Sequence, residues 1–257
     1  MDVIKLIHAK WARPLAVGVS TRQIARFVAP VVMIWAALLS APVPSAFAQP
    51  CPEVEVVFAR GTDEPPGVGM VGQAFVDALR LQVGSRSLGV YPVNYVATLP
   101  ASSDSADRLA FAKSVVDGIR DEGAHVESMA ANCPNTRQVL GGYSQGAVVT
   151  GFVTSPVIPK EVPAEYVSYI PKPMPPEVAN HVAAVVLFGK PSDQFMREVG
   201  ALPIVIGPLY VPKTIELCAP DDTICSGAAG GAPTITHVMY PVNGMVGQGA
   251  DFAASRL

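Results

Sequence analysis

The hydrophobic positions of this 257-residue chain change period repeatedly, and each change marks a strand or a helix. Glu53–Ala59 (EVEVVFA) reads as a buried strand that stops at Arg60-Gly61. From Val71 to Val83 the apolar residues Val71, Phe75, Ala78, Leu79, Leu81 and Val83 recur at helical spacing. Leu88–Val96 is β-like. Ser105–Ala131 is predicted as a long amphipathic helix with a break near Gly123 and an apolar stripe of Leu109, Phe111, Val115, Val116 and Ile119. Thr136–Tyr143 is a strand and Gln145–Thr154 a helix. His181–Phe188 (HVAAVVLF) is a nearly unbroken apolar run, the mark of a parallel strand covered on both faces. Thr214–Leu217 is a short strand, and Met245–Leu257 closes the chain as a helix with Phe252 and Ala253 inward. Repeated strand–helix–strand units predict an α/β fold: one mainly parallel sheet with helices on both faces and no large lid domain.

Two stretches resist this pattern. Ser155–Asn180 is proline-rich and holds Tyr166 and Tyr169, and Gly200–Pro212 is apolar but broken by Pro203, Gly207, Pro208 and Pro212. Long irregular segments in a compact domain are functional rims or surface decoration. The substrate-rim reading is preferred.

The first 48 residues stand apart. Lys5, Lys10, Arg13, Arg22 and Arg26 face a single acid, Asp2, ahead of an apolar stretch from Phe27 to Ala41 and the small-residue site Ala46-Phe47-Ala48. That is the plan of a secretory signal peptide, with cleavage expected between Ala48 and Gln49 and residues 49–257 left as a single domain. The apolar stretch is shorter than a bilayer span, and Pro42 and Pro44 interrupt the chain just beyond it. The whole chain has 18 basic and 21 acidic residues; removing five and one leaves 13 and 20, a balance of −7 with no basic run. Nucleic acid is thereby excluded as an electrostatic partner.

Cys51, Cys133, Cys218 and Cys225 all lie beyond the signal segment. An even count in an exported chain predicts two disulfides, with three pairings open. A local Cys218–Cys225 staple is geometrically easy and would leave Cys51 to Cys133. No CxxC pair exists and no His is near Cys51 or Cys133, so a metal role is disfavoured.

The chemistry centres on Val139-Leu140-Gly141-Gly142-Tyr143-Ser144-Gln145-Gly146-Ala147, a G-x-S-x-G between a hydrophobic strand and a helix. This is the setting of a nucleophile elbow, with Ser144 as nucleophile and helix amides aimed at a developing oxyanion. A serine needs a base. His125 precedes it and lies at a helix end, read as solvated surface; His181 opens a buried strand; His237 comes after the last strand and is the candidate by elimination. Asp221 and Asp222, between Cys218 and Cys225, are candidate acids that spacing does not separate. Asp193 and Glu198 are alternatives whose default reading is solvation.

From Cys51 to Leu257 the chain resembles the cutinase family, specifically the exported cutinase-like esterases of mycobacteria and related actinobacteria. The matching pieces are Val57-Phe58-Ala59-Arg60-Gly61-Thr62, Gly142-Tyr143-Ser144-Gln145-Gly146, and Cys218-Ala219-Pro220-Asp221-Asp222-Thr223-Ile224-Cys225. The resemblance implies an α/β-hydrolase fold, the disulfides Cys51–Cys133 and Cys218–Cys225, Asp222 as catalytic acid and His237 as base. It also implies an oxyanion hole from Thr62 and the backbone N–H of Gln145. A turn after the first strand faces the same sheet edge as the elbow, and Gly61 permits close approach, which supports Thr62 independently. Plant-pathogen cutinases usually have serine at the Thr62 position.

The implied function is a secreted serine esterase acting on carboxylic esters of short- to medium-chain fatty acids through a Ser-His-Asp triad and an acyl-enzyme. No cofactor or metal is expected. Ester or lipid is the expected substrate, with peripheral contact to lipid or the cell envelope, a monomeric state, and an extracellular or envelope-associated location. Acetylxylan-type carbohydrate esterase, phospholipase A, and an inactive secreted binding or antigenic protein are the alternatives; sparse aromatics weigh against the first.

Overall fold

Alternation within the first strand, β1 (Val54–Ala59), sorts the core into two layers. Val54, Val56 and Phe58 point to one face of the sheet and Val57 and Ala59 to the other, and all are fully buried. The computed structural model describes residues 50–99, 104–229 and 231–257, so the expected signal segment lies outside the described residues. The further elements are α1 (Gly69–Val83), β2 (Leu88–Pro92), α2 (Ser105–Asn132), β3 (Arg137–Tyr143), α3 (Gln145–Val153), α4 (Ala164–Val167), β4 (Val182–Phe188), α5 (Asp193–Glu198), β5 (Thr214–Leu217) and α6 (Met245–Ala254).

The five strands pair in the order β2-β1-β3-β4-β5, every pair parallel. Val71, Phe75 and Leu79 of α1 and Val246, Ala250 and Ala253 of α6 cover one face, where Phe58, Phe75 and Phe188 meet at centroid distances of 5.7–6.4 Å. Val115 and Val126 of α2 and Ala147 and Val149 of α3 cover the other. Gly141 and Gly72 are required here, since a Cβ at either would press within 2.6 Å of the Phe58 ring. Full burial of a Phe or Leu side chain stabilises by about 1.5–3 kcal/mol, so these two layers supply most of the driving force for folding.

The structure departs from the expected elements in three places. β2 ends at Pro92 rather than Val96; it is an edge strand, where the Pro92 nitrogen faces away from β1, and its last bond to β1 is Val93 N–H to Phe58 O at 3.0 Å. α2 runs unbroken through Gly123 to Asn132. Glycine costs only about 1 kcal/mol in a helix interior, and packing of α2 against α3 offsets that. The stripe expected on α2 also divides: Val115 enters the core and Phe111 and Ile119 pack against it, and these three, with Leu109 and Val116, border an adjoining cavity.

Candidate active site

The turn between β3 and α3 is possible only because of its glycines. A Cβ on Gly142 would collide with the Gly146 carbonyl, and one on Gly146 with the Ala59 carbonyl. Ser144 itself takes φ 53°, ψ −116°, a region L-residues rarely occupy. Such a conformation costs of order 1–3 kcal/mol and persists only where surroundings enforce it. Here Ser144 N–H donates to Phe188 O at 2.9 Å, so the β3–β4 ladder fixes the strained residue.

Three side chains from separate loops meet at this edge. Ser144 Oγ lies 2.9 Å from His237 Nε2, and His237 Nδ1 lies 2.8 Å from Asp222 Oδ2. His237 sits on a 3-10 turn, Ile235–Val238, and Asp222 comes after β5 inside the Cys218–Cys225 loop. Asp222 is wholly buried, which alone would raise its pKa. Hydrogen bonds from His237 and Tyr240, the His237 charge, and the Ile224 N–H outweigh burial and hold it below the ordinary carboxylate range. Asp221 is exposed at φ 64° and takes no part in the line. Asp193 opens α5, and Glu198 accepts a hydrogen bond from Gln194 at 3.1 Å.

The loop after β1 completes the edge. Thr62 Oγ1 donates to Gln145 Oε1 at 3.1 Å, joining this loop to the elbow. The amide of Gln145 opens α3, where the first amides lack intrahelical acceptors. Gly61 leaves room for the Tyr143 ring, which a Cβ would meet at 2.5 Å. The Glu64 carboxylate accepts from Gly61 N–H and Met70 N–H at 2.7 Å each, and the Arg60 guanidinium donates to the carbonyls of Glu64, Tyr95 and Val96.

Sequence reasoning missed Glu64 and Tyr240. The buried Tyr240 hydroxyl donates to Asp222 Oδ2 at 2.7 Å and receives Ala219 N–H at 3.1 Å. Burial raises its pKa, so it remains a donor. Its position three residues after His237 was the available signal; Glu64, an acid in a Gly/Pro-rich turn, gave none. The reading of His125 is corrected. It stands in mid-helix, stacked on Tyr91 at 3.5 Å and hydrogen-bonded to the buried Glu55 at 3.1 Å, because α2 extends past it. His181 bonds to Pro134 O at 3.1 Å, at the opposite end of the sheet strands from Ser144.

A cavity of about 1610 Å³ opens on Ser144 and His237 and is lined by both irregular stretches, 155–175 and 199–202. Both disulfides are formed as the resemblance implied.

A further buried acid, Glu122, lies behind the elbow. Glu122 Oε2 is 3.0 Å from Thr150 Oγ1, which is 3.1 Å from Gly141 O. The threonine has one proton and Gly141 O only accepts, so Glu122 fits this chain as a neutral donor. Burial pushes its pKa well above the ordinary value, against the Thr150 hydrogen bond. An acid with a raised folded-state pKa stabilises fully below its unfolded pKa and loses that contribution as pH rises through the folded value. Relative to Glu122→Gln, the native chain should therefore lose about 1.4 kcal/mol per pH unit above about pH 4.3 until Glu122 ionises. Urea midpoints at pH 5 and pH 8 measure this; a pH-independent difference would show a carboxylate in the folded state.

A parallel sheet bearing a strained serine elbow at the carboxyl ends of its strands defines an α/β serine hydrolase. The family model for Cutinase matches residues 50–257, and the chain belongs to that family. It is 62% identical over 176 residues to the Probable carboxylesterase Culp7 of Mycobacterium tuberculosis, covering 68% of this chain and 88% of that one. Carboxylesterase Culp1 of the same organism is 48% identical over 241 residues, covering 92% and 97%. The solved structure of Trichoderma reesei cutinase in complex with a C11Y4 phosphonate inhibitor superposes with a TM-score of 0.55 at 27% identity, covering 91% and 88%. The protein is a cutinase-like serine carboxylic ester hydrolase.

Proposed function

We propose that Ser144, His237 and Asp222 form the catalytic triad of a secreted esterase acting on carboxylic esters with an apolar acyl part. The supporting observation is the continuous hydrogen-bonded line of 2.9 and 2.8 Å across three loops. His237 takes the Ser144 proton as Oγ attacks the ester carbonyl, and Asp222 stabilises the resulting imidazolium. The tetrahedral oxygen rests on the N–H groups of Gln145 and Thr62. His237 then protonates the leaving alcohol, and water releases the acyl group by the same sequence. Two disulfides and no free cysteine support an oxidising destination, in keeping with the signal segment read over residues 1–48.

Diethyl p-nitrophenyl phosphate tests the nucleophile directly. Stoichiometric release of p-nitrophenol should accompany loss of p-nitrophenyl butyrate hydrolysis, with the adduct mapped by mass spectrometry to Ser144. An adduct elsewhere, or inhibition with none, would overturn the assignment.

A further inference from the structure

The loop 60–68 that follows β1 is held from within by a buried charge. Arg60 is only 4% exposed, and a charge taken out of water is costly unless it is hydrogen-bonded. Its partners are backbone carbonyls. Nε donates to Glu64 O at 2.9 Å, and Nη2 donates to Tyr95 O at 2.6 Å and to Val96 O at 3.2 Å. The fork therefore spans two loops, its own and the segment 93–97 that leaves β2. The guanidinium also lies 5.1 Å from the centre of the Tyr95 ring, and the Tyr95 hydroxyl donates back to Arg60 O.

A second stitch joins the same two loops. Asp63 N–H donates to Ala97 O at 2.7 Å, and both residues take the left-handed region, at φ 58° and 53°. Ala97 is fully buried. Residues other than glycine stay in this region only where their surroundings enforce it. The carbonyls gripped by Arg60 belong to the two residues directly before Ala97.

These bonds select one amide. Gly61 N–H is taken by Glu64 Oε2 at 2.7 Å, and Asp63 N–H by Ala97 O. Between them, the Thr62 N–H has no acceptor among the described residues, and Thr62 borders the cavity at Ser144 together with Gln145. A free donor whose neighbours are fixed can meet a developing oxyanion without reorganisation.

We propose that Arg60 is a positioning residue for ester hydrolysis: by gripping the carbonyls of Glu64, Tyr95 and Val96, its guanidinium sets the Thr62 N–H toward the tetrahedral oxygen. This deepens, and rests on, the assignment of Ser144 as nucleophile and Thr62 as oxyanion donor. Arg60 acts through the shape of its fork rather than through its charge alone. A lysine ammonium is a compact point donor without that plane, so it cannot hold both loops in one geometry. Losing an oxyanion donor outright costs about 10²–10³ in kcat, and misplacing one costs up to about 100-fold.

The test compares the parent with Arg60→Lys, Tyr95→Phe and Ser144→Ala. Hydrolysis of p-nitrophenyl butyrate gives kcat and KM, and hexyl trifluoromethyl ketone gives a Ki. Ser144 Oγ bonds to the ketone carbon, His237 takes the hydroxyl proton, and the carbonyl oxygen becomes an anion at the Thr62 and Gln145 amides. Arg60→Lys should lower kcat about 10–100-fold with KM within about threefold, and Ki should rise by the factor that kcat/KM falls. Tyr95→Phe keeps the ring and removes only the bond to Arg60 O. It should show the same pattern at about three- to tenfold, and it carries the test if thermal melting shows that the lysine variant misfolds. A kcat within about twofold of the parent in folded Arg60→Lys, or in Tyr95→Phe where the lysine variant misfolds, overturns the proposal. So does a loss carried by KM, or a fall in rate that leaves Ki unmoved. Butyrate hydrolysis that survives Ser144→Ala overturns instead the assignment beneath it.

Discussion

With p-nitrophenyl butyrate as substrate, Ser144→Ala is expected to lower kcat by on the order of 10⁶-fold and Asp222→Asn by on the order of 10⁴-fold. The serine result reflects loss of the only nucleophile at the elbow. The asparagine result reflects the count of donors around the carboxylate. Oδ1 receives Ile224 N–H at 3.0 Å, while Oδ2 receives both Tyr240 OH and His237. All three converge on an acceptor, and an amide supplies an acceptor on one side only. If its NH₂ faces Ile224, two donors oppose each other in a buried site, at about 1–3 kcal/mol. If its NH₂ faces His237, the ring must accept at Nδ1 and carry its proton at Nε2, where it can no longer take one from Ser144. Turnover within about tenfold of the parent, in a variant whose melting confirms the fold, would mean that Asp222 does not orient the base.

The two disulfides should fail in different ways. Cys51–Cys133 spans 82 residues and joins the chain just ahead of β1 to the end of α2. Loop-closure entropy assigns it about 4.5 kcal/mol, and Cys218–Cys225, spanning seven, about 2.5 kcal/mol. Replacing the first pair with serines is expected to lower Tm by about 10–15 °C while kcat at 25 °C stays within about twofold. Replacing the second pair should lower kcat by about 10–100-fold, because Asp222 then rides on an unstapled loop and small misplacements of an orienting group are costly. Calorimetry and initial rates on the two double variants read both effects. An unchanged kcat in the second would show that Ile224 N–H and Tyr240 hold Asp222 without the cystine.

Much of the fold is legible in the chain because period reports burial. β1, β3 and β4 stand out as largely apolar runs, since strands covered on both faces have few polar positions to alternate with. Gly142 and Gly146 make the elbow readable, because their positions admit no Cβ. The choice of Asp222 over Asp221 comes from resemblance, as two adjacent aspartates in one loop are equivalent until their φ angles are known. His125 is misplaced at a helix end when Gly123 is weighed as a breaker, whereas helix-to-helix packing overrides a single glycine. The destination of segment 155–175 is illegible, since proline-rich chain has no period to show which side faces inward. Tyr240 and Glu64 act through hydrogen bonds that only the folded loops create.

The residues grouped at Ser144 hang on loops at the carboxyl ends of the strands, whereas the Cys51–Cys133 link, the His181–Pro134 bond and the Arg137–Asn180 bond lie at the amino ends. The molecule thus has a face that can be handled. A unique attachment point at the exposed Asn135 or Asn180 would orient the protein on a solid support with its mouth toward the bulk phase. Immobilised in that way it should meet an insoluble ester film or a suspended droplet with the cavity leading.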